Sequence, residues 1–104
     1  MPKQKNQINI TEAAEKDLGD IIDYIFAYNP TAAFKVATRI EKNILKLENF
    51  PLIGIVPRIR HLALKGYRIL IVDDYLIFYV ISSKETIEIR RILSGKRNYQ
   101  FLFS

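Results

Sequence analysis

Cysteine and tryptophan are absent from this chain, and histidine and methionine occur once each. Without cysteine there is no disulfide framework and no thiolate chemistry. With one histidine, a zinc site would rest almost wholly on carboxylates, which is not how zinc is held. No metal or cofactor is therefore expected. Glycine and proline number four each, too few for a linker or a collagen-like repeat. No apolar run reaches the roughly 18 residues of a membrane span, and Met1-Pro2-Lys3-Gln4-Lys5 leads into no apolar core of signal-peptide length. The expectation is a cytoplasmic, soluble protein with no membrane partner.

What is present is ordinary globular material. Of the 104 residues, 49% are hydrophobic and 26% charged. That is enough apolar surface to offset the ordering entropy of one domain, 1–104. The net charge of +5 is uneven. Residues 1–57 hold seven Lys/Arg and seven Asp/Glu, whereas residues 58–104 hold nine and four. An excess confined to the second half points to an acidic partner, either nucleic acid or an acidic protein segment, or to a solvated basic surface.

Periodicity divides the chain near residue 66. Gln7-Ile8-Asn9-Ile10 alternates like a half-buried strand. Thr11 then suits a helix N-cap, with Glu12 and Glu15 against the positive end of the helix dipole. Ala14, Leu18, Ile21, Ile25 and Tyr28 recur at helical spacing. Gly19 interrupts that helix, either for a close neighbour or for no structural reason. Asn29-Pro30 closes the first helix and opens a second, carrying Ala33, Val36, Ala37, Ile40, Ile44 and Leu47 to an end near Asn49. So short a joint makes a helical hairpin.

Residues 50–66 read as a loop, with Leu62-Ala63-Leu64 as a short edge strand. Tyr67–Val72, Tyr75–Ile81 and Thr86–Leu93 are rich in β-branched and aromatic residues and are separated by turns. The middle run is uncharged and belongs at the centre of an antiparallel meander. Its second face is expected to be partly covered by the C-terminal tail. In the last run strict alternation fails, and a bulge between Arg90 and Arg91 restores Ile92 to the apolar face. The fold class is α+β in two layers. An N-terminal strand and helical hairpin pack on an antiparallel three- to four-stranded sheet.

Chemistry-bearing motifs are few. There is no phosphate-cradling glycine loop, nucleophile elbow or paired-carboxylate arrangement. His61 reads as a surface histidine between Arg58 and Arg60, and Ser94 has no base partner in sequence. The densest polar cluster is Arg90, Arg91, Lys96, Arg97, Asn98 and Tyr99, with Arg68 able to join from a neighbouring strand. Guanidiniums take phosphate or carboxylate through paired donors, and a tyrosine stacks on bases. Phe101 and Phe103 make the tail apolar. They either anchor it on the domain or wait for a partner.

The order of these pieces resembles the RelE/ParE superfamily of plasmid-stabilisation toxins. The resemblance rests on the hairpin with Asp20-Ile21-Ile22-Asp23-Tyr24-Ile25 and the bend Phe50-Pro51-Leu52-Ile53-Gly54. It rests equally on Leu64-Lys65-Gly66-Tyr67-Arg68-Ile69-Leu70 and the ending Arg91-Ile92-Leu93-Ser94-Gly95-Lys96-Arg97-Asn98-Tyr99. It implies the growth-inhibiting toxin of a bacterial type II toxin–antitoxin pair, neutralised by a cognate antitoxin. RelE-like members cut mRNA on the ribosome, and ParE-like members inhibit DNA gyrase. Carried onto this chain, the ribonuclease set falls on Arg68, Arg97 and Tyr99. Leu70 and Leu76 stand where that set wants cations. The first two pieces look more like the ParE branch, so the resemblance implies gyrase as target and no enzymatic step. Ribosome-bound mRNA is the alternative, and a non-toxic nucleic-acid-binding domain is a second one. Partner contacts are expected at Arg68, Arg90, Arg91, Lys96, Arg97, Tyr99, Phe101 and Phe103.

Overall fold

The computed structural model describes residues 5–83 and 85–96. A short strand, β1 (Gln7–Ile10), leads into α1 (Glu12–Tyr28) and α2 (Pro30–Lys46). After a loop and a short helix, α3 (Arg60–Leu64), come β2 (Tyr67–Val72), β3 (Tyr75–Ser83) and β4 (Thr86–Ser94). Arg97, Asn98, Tyr99, Phe101 and Phe103, named above as candidates, lie outside the described residues.

Each helix begins where a side chain satisfies its free N–H groups. Thr11 Oγ1 accepts from Ala14 N–H at 3.2 Å, and the same hydroxyl donates to the Arg90 carbonyl at 3.1 Å. One residue thus caps α1 and ties it to β4. Asn29 serves both helices. Its N–H donates to the Ile25 carbonyl, and its Oδ1 accepts from Ala32 N–H at 3.1 Å. Pro30 occupies the first helical position, where no N–H is needed. After Lys46 the chain tightens into a turn with i→i−3 bonds as far as Asn49.

The sheet order is β1-β4-β3-β2. β2, β3 and β4 form the antiparallel meander, and β1 joins β4 in parallel with Ile8 opposite Ile87. The sheet is therefore mixed, a refinement of the antiparallel sheet read from sequence. The return through two helices lets β1 lie alongside β4 in the same direction. The uncharged β3 is an interior strand, as its composition requires.

Two apolar layers cover the sheet. On one face Ala14, Ile40, Ile44 and Leu47 of the hairpin region pack against Leu70, Val72, Ile77, Tyr79, Ile87, Ile89 and Ile92. On the other, Leu62 of α3 packs against Ile69, Phe78 and Leu93. Full burial of side chains this size is worth ~1.5–3 kcal/mol each. The second layer corrects one sequence expectation: Leu62-Ala63-Leu64 is not an edge strand but lies in α3. Ile59 and Leu62, three apart, both turn onto the sheet, a helical spacing that alternation over three residues masked. Ile55 takes the place beside β2, bridging Ile69 through bonds of 2.9 and 2.8 Å. Among the described residues α3 covers this face; the tail expected to share that cover lies outside them.

The bulge lies where alternation broke. Phe78 pairs with Arg91 and Tyr79 with Ile89, leaving Arg90 as the extra residue. Among the described residues, no helix is long and apolar enough to cross a membrane.

Candidate partner and nucleic-acid interface

The bulge in β4 sends two consecutive arginines to different places. Arg91 reaches α1, where its Nε and Nη2 donate to Asp17 Oδ2 and Oδ1 at 2.7 and 2.9 Å. The same carboxylate accepts from Ile92 N–H at 3.0 Å. Asp17 is only 10% exposed and Arg91 25%. This bidentate pair braces the first helix to the sheet, and the hydrogen bond to Asp17 keeps the guanidinium more firmly protonated than usual.

Arg90 instead faces the side covered by α3. Its guanidinium sits 5.6 Å from the centre of the Tyr67 ring and donates to Tyr67 Oη at 3.5 Å. Glu88 holds its Nε at 2.7 Å. Tyr67 in turn lies edge-on to Phe78, with ring centres 6.5 Å apart. The hydrogen bonds that Arg90 donates, first to Tyr67 and then to Glu88, raise its pKa above its ordinary value. A guanidinium so placed keeps further donors for a phosphate or carboxylate.

The segment that packs over this face adds to the charge. Arg58, Arg60, His61 and Lys65 are exposed on or beside α3, and no acid occurs among residues 58–65. From the sequence these residues read as a loop, and the binding cluster was expected at Arg90–Tyr99 with Arg68. The signal available was the acid-free run itself; what it lacked was the placement of Leu62 under the sheet, which brings the run beside Tyr67. Lys96 is exposed at the end of β4, where its N–H donates to Ser94 Oγ at 3.3 Å.

Arg68 lies apart from this surface. Its Nη1 donates to the carbonyls of Gly54 and Leu52 at 2.8 and 3.2 Å. Paired with it on the neighbouring strand β3 is Tyr79, wholly buried. Tyr79 Oη accepts from Gly54 N–H at 2.9 Å and donates to the Pro51 carbonyl at 2.7 Å. Together they clamp the Phe50–Gly54 bend. A Cβ on Gly54 would lie 2.6 Å from the Tyr79 ring, so the bend requires glycine there. The structure thus separates three candidates that sequence grouped: Arg68 at the bend, Arg91 against α1, and Arg90 on the α3 side.

The opposite flank is acidic. A groove of about 290 Å³ between α1 and the β3–β4 end is lined by Asp17, Asp20, Tyr24, Tyr75 and Ser94, among others. Burial, with Asp74 and Asp73 nearby, pushes the Tyr75 phenol up. Burial does the same to Tyr79, more than the Gly54 bond and Arg68 pull it down. Neither phenol takes up or releases a proton near neutrality. Among the described residues, no three His, Asp or Glu side chains cluster to hold a metal ion.

Residues 8–99 match the family model described as the ParE toxin of the type II toxin–antitoxin system parDE. No curated protein matches the sequence significantly. Among solved structures, a chain of the chromosomal ParDE toxin–antitoxin system from P. aeruginosa superposes with a TM-score of 0.73 at 20% identity. It covers 88% of this chain and 98% of that one. A chain of the RelBE2 toxin–antitoxin complex from Mycobacterium tuberculosis gives 0.61 at 24% identity, covering 86% and 98%. At such identities the likeness speaks for the fold.

Proposed function

Since this chain belongs to the ParE toxin family of type II toxin–antitoxin systems, we propose that it arrests growth by binding DNA gyrase in the cytoplasm. A cognate antitoxin silences it by covering the same basic surface. The observation that carries this reading is the group of exposed cations on the α3 side of the sheet. Arg90 stacks on Tyr67, and Arg58, Arg60 and Lys65 are exposed on or beside α3, which packs over the same face. A surface of exposed guanidinium and ammonium groups binds an anion.

Ribonuclease action asks for cations aimed at the scissile phosphate, because a preorganised charge is worth about 3–4 kcal/mol in a transition state. Here Leu70 and Leu76 stand where such cations would be, and Leu70 is buried in the core. Arg68 already spends one nitrogen on two carbonyls of the bend. These features favour binding over cleavage. The antitoxin segment that fits is acidic, placing Asp or Glu over Arg90, Lys96 and the α3 cations.

Two assays on one preparation test the proposal: gyrase supercoiling with detection of trapped cleaved DNA, and mRNA cleavage on translating ribosomes. Inhibited gyrase with intact mRNA supports it. Cut mRNA with unaffected gyrase replaces it by the ribonuclease reading, in which Arg97→Ala lowers the cleavage rate by roughly two or three orders of magnitude.

A further inference from the structure

The two edges of the sheet differ. Along the outer edge of β2, Ile55 and Ile69 exchange bonds of 2.9 and 2.8 Å, which closes that edge at mid-strand. β1 forms the other edge, with β4 as its neighbour. Gln7 N–H donates to the Glu85 carbonyl at 2.7 Å, and Thr11 N–H donates to the Ile89 carbonyl at 3.0 Å. Alternate residues of a parallel ladder turn their N–H and C=O to the neighbour, so Asn9 faces β4 as well. Ile8 and Ile10 turn theirs outward, and among the described residues no hydrogen bond reaches those groups.

Gln7–Ile10 has no charged residue, proline or bulge, the devices that keep edge strands apart. Ile8 and Ile10 share the face of Ile87 and Ile89, beneath the helical hairpin. Ile8 packs against the core there, whereas Ile10 is 40% exposed. Asn9 is exposed on the opposite face, next to Glu88. The strand is flanked by opposite charges. Exposed Lys5 precedes it and exposed Glu12 follows it, and neither has an ion-pair partner among the described residues.

We propose that β1 pairs antiparallel with β1 of a second copy, about a dyad normal to the sheet at Asn9. Ile8 of each copy then exchanges backbone bonds with the partner's Ile10, and Asn9 meets the partner's Asn9. This dyad keeps the two faces of the sheet distinct. The isoleucines of both copies therefore lie side by side beneath their hairpins and join one core to the other. The same crossing carries Lys5 of each copy toward the partner's Glu12. A dyad along the strand would instead set Lys5 by Lys5 and put the two pairs of isoleucines on opposite faces. Charge and apolar pattern thus select the antiparallel contact, which is isologous and closes at a dimer. A strand from another protein would satisfy the same backbone groups; the self-complementary side chains favour a second copy. One consequence rests on the function proposed above: the dimer presents two copies of the basic α3 surface on one side of a continuous sheet.

Sedimentation of the full-length chain tests the pairing, with circular dichroism to confirm that each variant is folded. The expected result is a dimer whose fraction rises with concentration. Ile10→Pro removes an outward N–H and leaves the β1–β4 bonds in place, so it should raise the dissociation constant at least about tenfold. Ile10→Ala keeps that N–H and should raise it less. The chain has no cysteine, so one introduced thiol reports on its own twin. Asn9→Cys places two Cα atoms about 4.5 Å apart across the dyad, within the range of about 4.4–6.8 Å that a disulfide spans. Gln7→Cys would stand opposite the partner's Thr11, about 13 Å from its twin. Mild oxidation should therefore cross-link the first variant and spare the second. A wild-type chain that stays monomeric overturns the proposal, even if its edge takes up an added extended peptide. So does a dimer indifferent to Ile10→Pro, or cross-linking no faster through Cys at position 9 than at position 7.

Discussion

Removing one oxygen from the centre of the sheet is the sharpest perturbation this fold offers. Tyr79 is wholly buried, and its hydroxyl serves two backbone groups of the Phe50–Gly54 bend. Tyr79→Phe keeps the ring and its packing. It leaves Gly54 N–H, which is buried, and the Pro51 carbonyl, which is half-buried, without their partner. A buried group left unsatisfied costs about 1–3 kcal/mol. Water reaches Pro51 more readily than Gly54, so the combined cost is about 2–4 kcal/mol. In a domain of this size that lowers Tm by roughly 10–20 °C. Thermal unfolding followed by circular dichroism measures it, with Tyr24→Phe, on an exposed residue, as the control. The alkaline limb gives an independent reading. Burial raises the Tyr79 pKa above that of a free tyrosine, about 10. The folded state therefore holds its proton more tightly. The contribution is complete below pH ~10 and fades as pH climbs from there through the folded value. Tyr75 acts in the same direction. Tyr79→Phe should make the loss of stability above pH ~10 shallower without abolishing it. A variant within about 0.5 kcal/mol of wild type, with an unaltered alkaline limb, would refute the clamp.

Arg91→Ala leaves the largely buried Asp17 with Ile92 N–H as its one remaining hydrogen-bond donor among the described residues, and should cost about 2–3 kcal/mol in urea unfolding. Arg91→Glu sets two carboxylates against each other and should unfold the α1–β4 junction, so weakened partner binding in that variant reports on the fold. Gly19→Ala should stabilise by about 0.5–1 kcal/mol, since an added Cβ meets nothing within 4 Å and alanine suits a helix better. Gly54→Ala should destabilise by about 1–3 kcal/mol, because the new Cβ collides with the Tyr79 ring. The same denaturation curves check all of these.

Local signals carried the reading of the sequence a long way. Thr11 and Asn29-Pro30 announced the helix ends, since caps act within a turn. The broken alternation at Arg90-Arg91 announced the bulge, since a pleat admits one extra residue in few ways. Non-local facts were harder to see. Four residues of β1 say nothing of which strand they join or in which direction. Leu62-Ala63-Leu64 fits either period, and only the apolar surface of Ile69, Phe78 and Leu93 settles it as helix. Asp17 and Arg91 are 74 positions apart, and nothing in either neighbourhood names the other. Arg68 looked like a site residue because a basic side chain on a strand suggests a ligand. Two carbonyls of a distant bend occupy part of its guanidinium instead.

We propose that this ParE-family chain acts by binding, through Arg90 and the cations on and beside α3. The most direct test is plasmid supercoiling by DNA gyrase, titrated with the wild-type chain and with a folded Arg60→Glu/Arg90→Ala double variant. The wild-type chain is expected to inhibit gyrase and trap cleaved DNA, and the variant to need at least about tenfold more protein to do so. Supercoiling left untouched by the wild-type chain, or inhibited equally by both proteins, would contradict it.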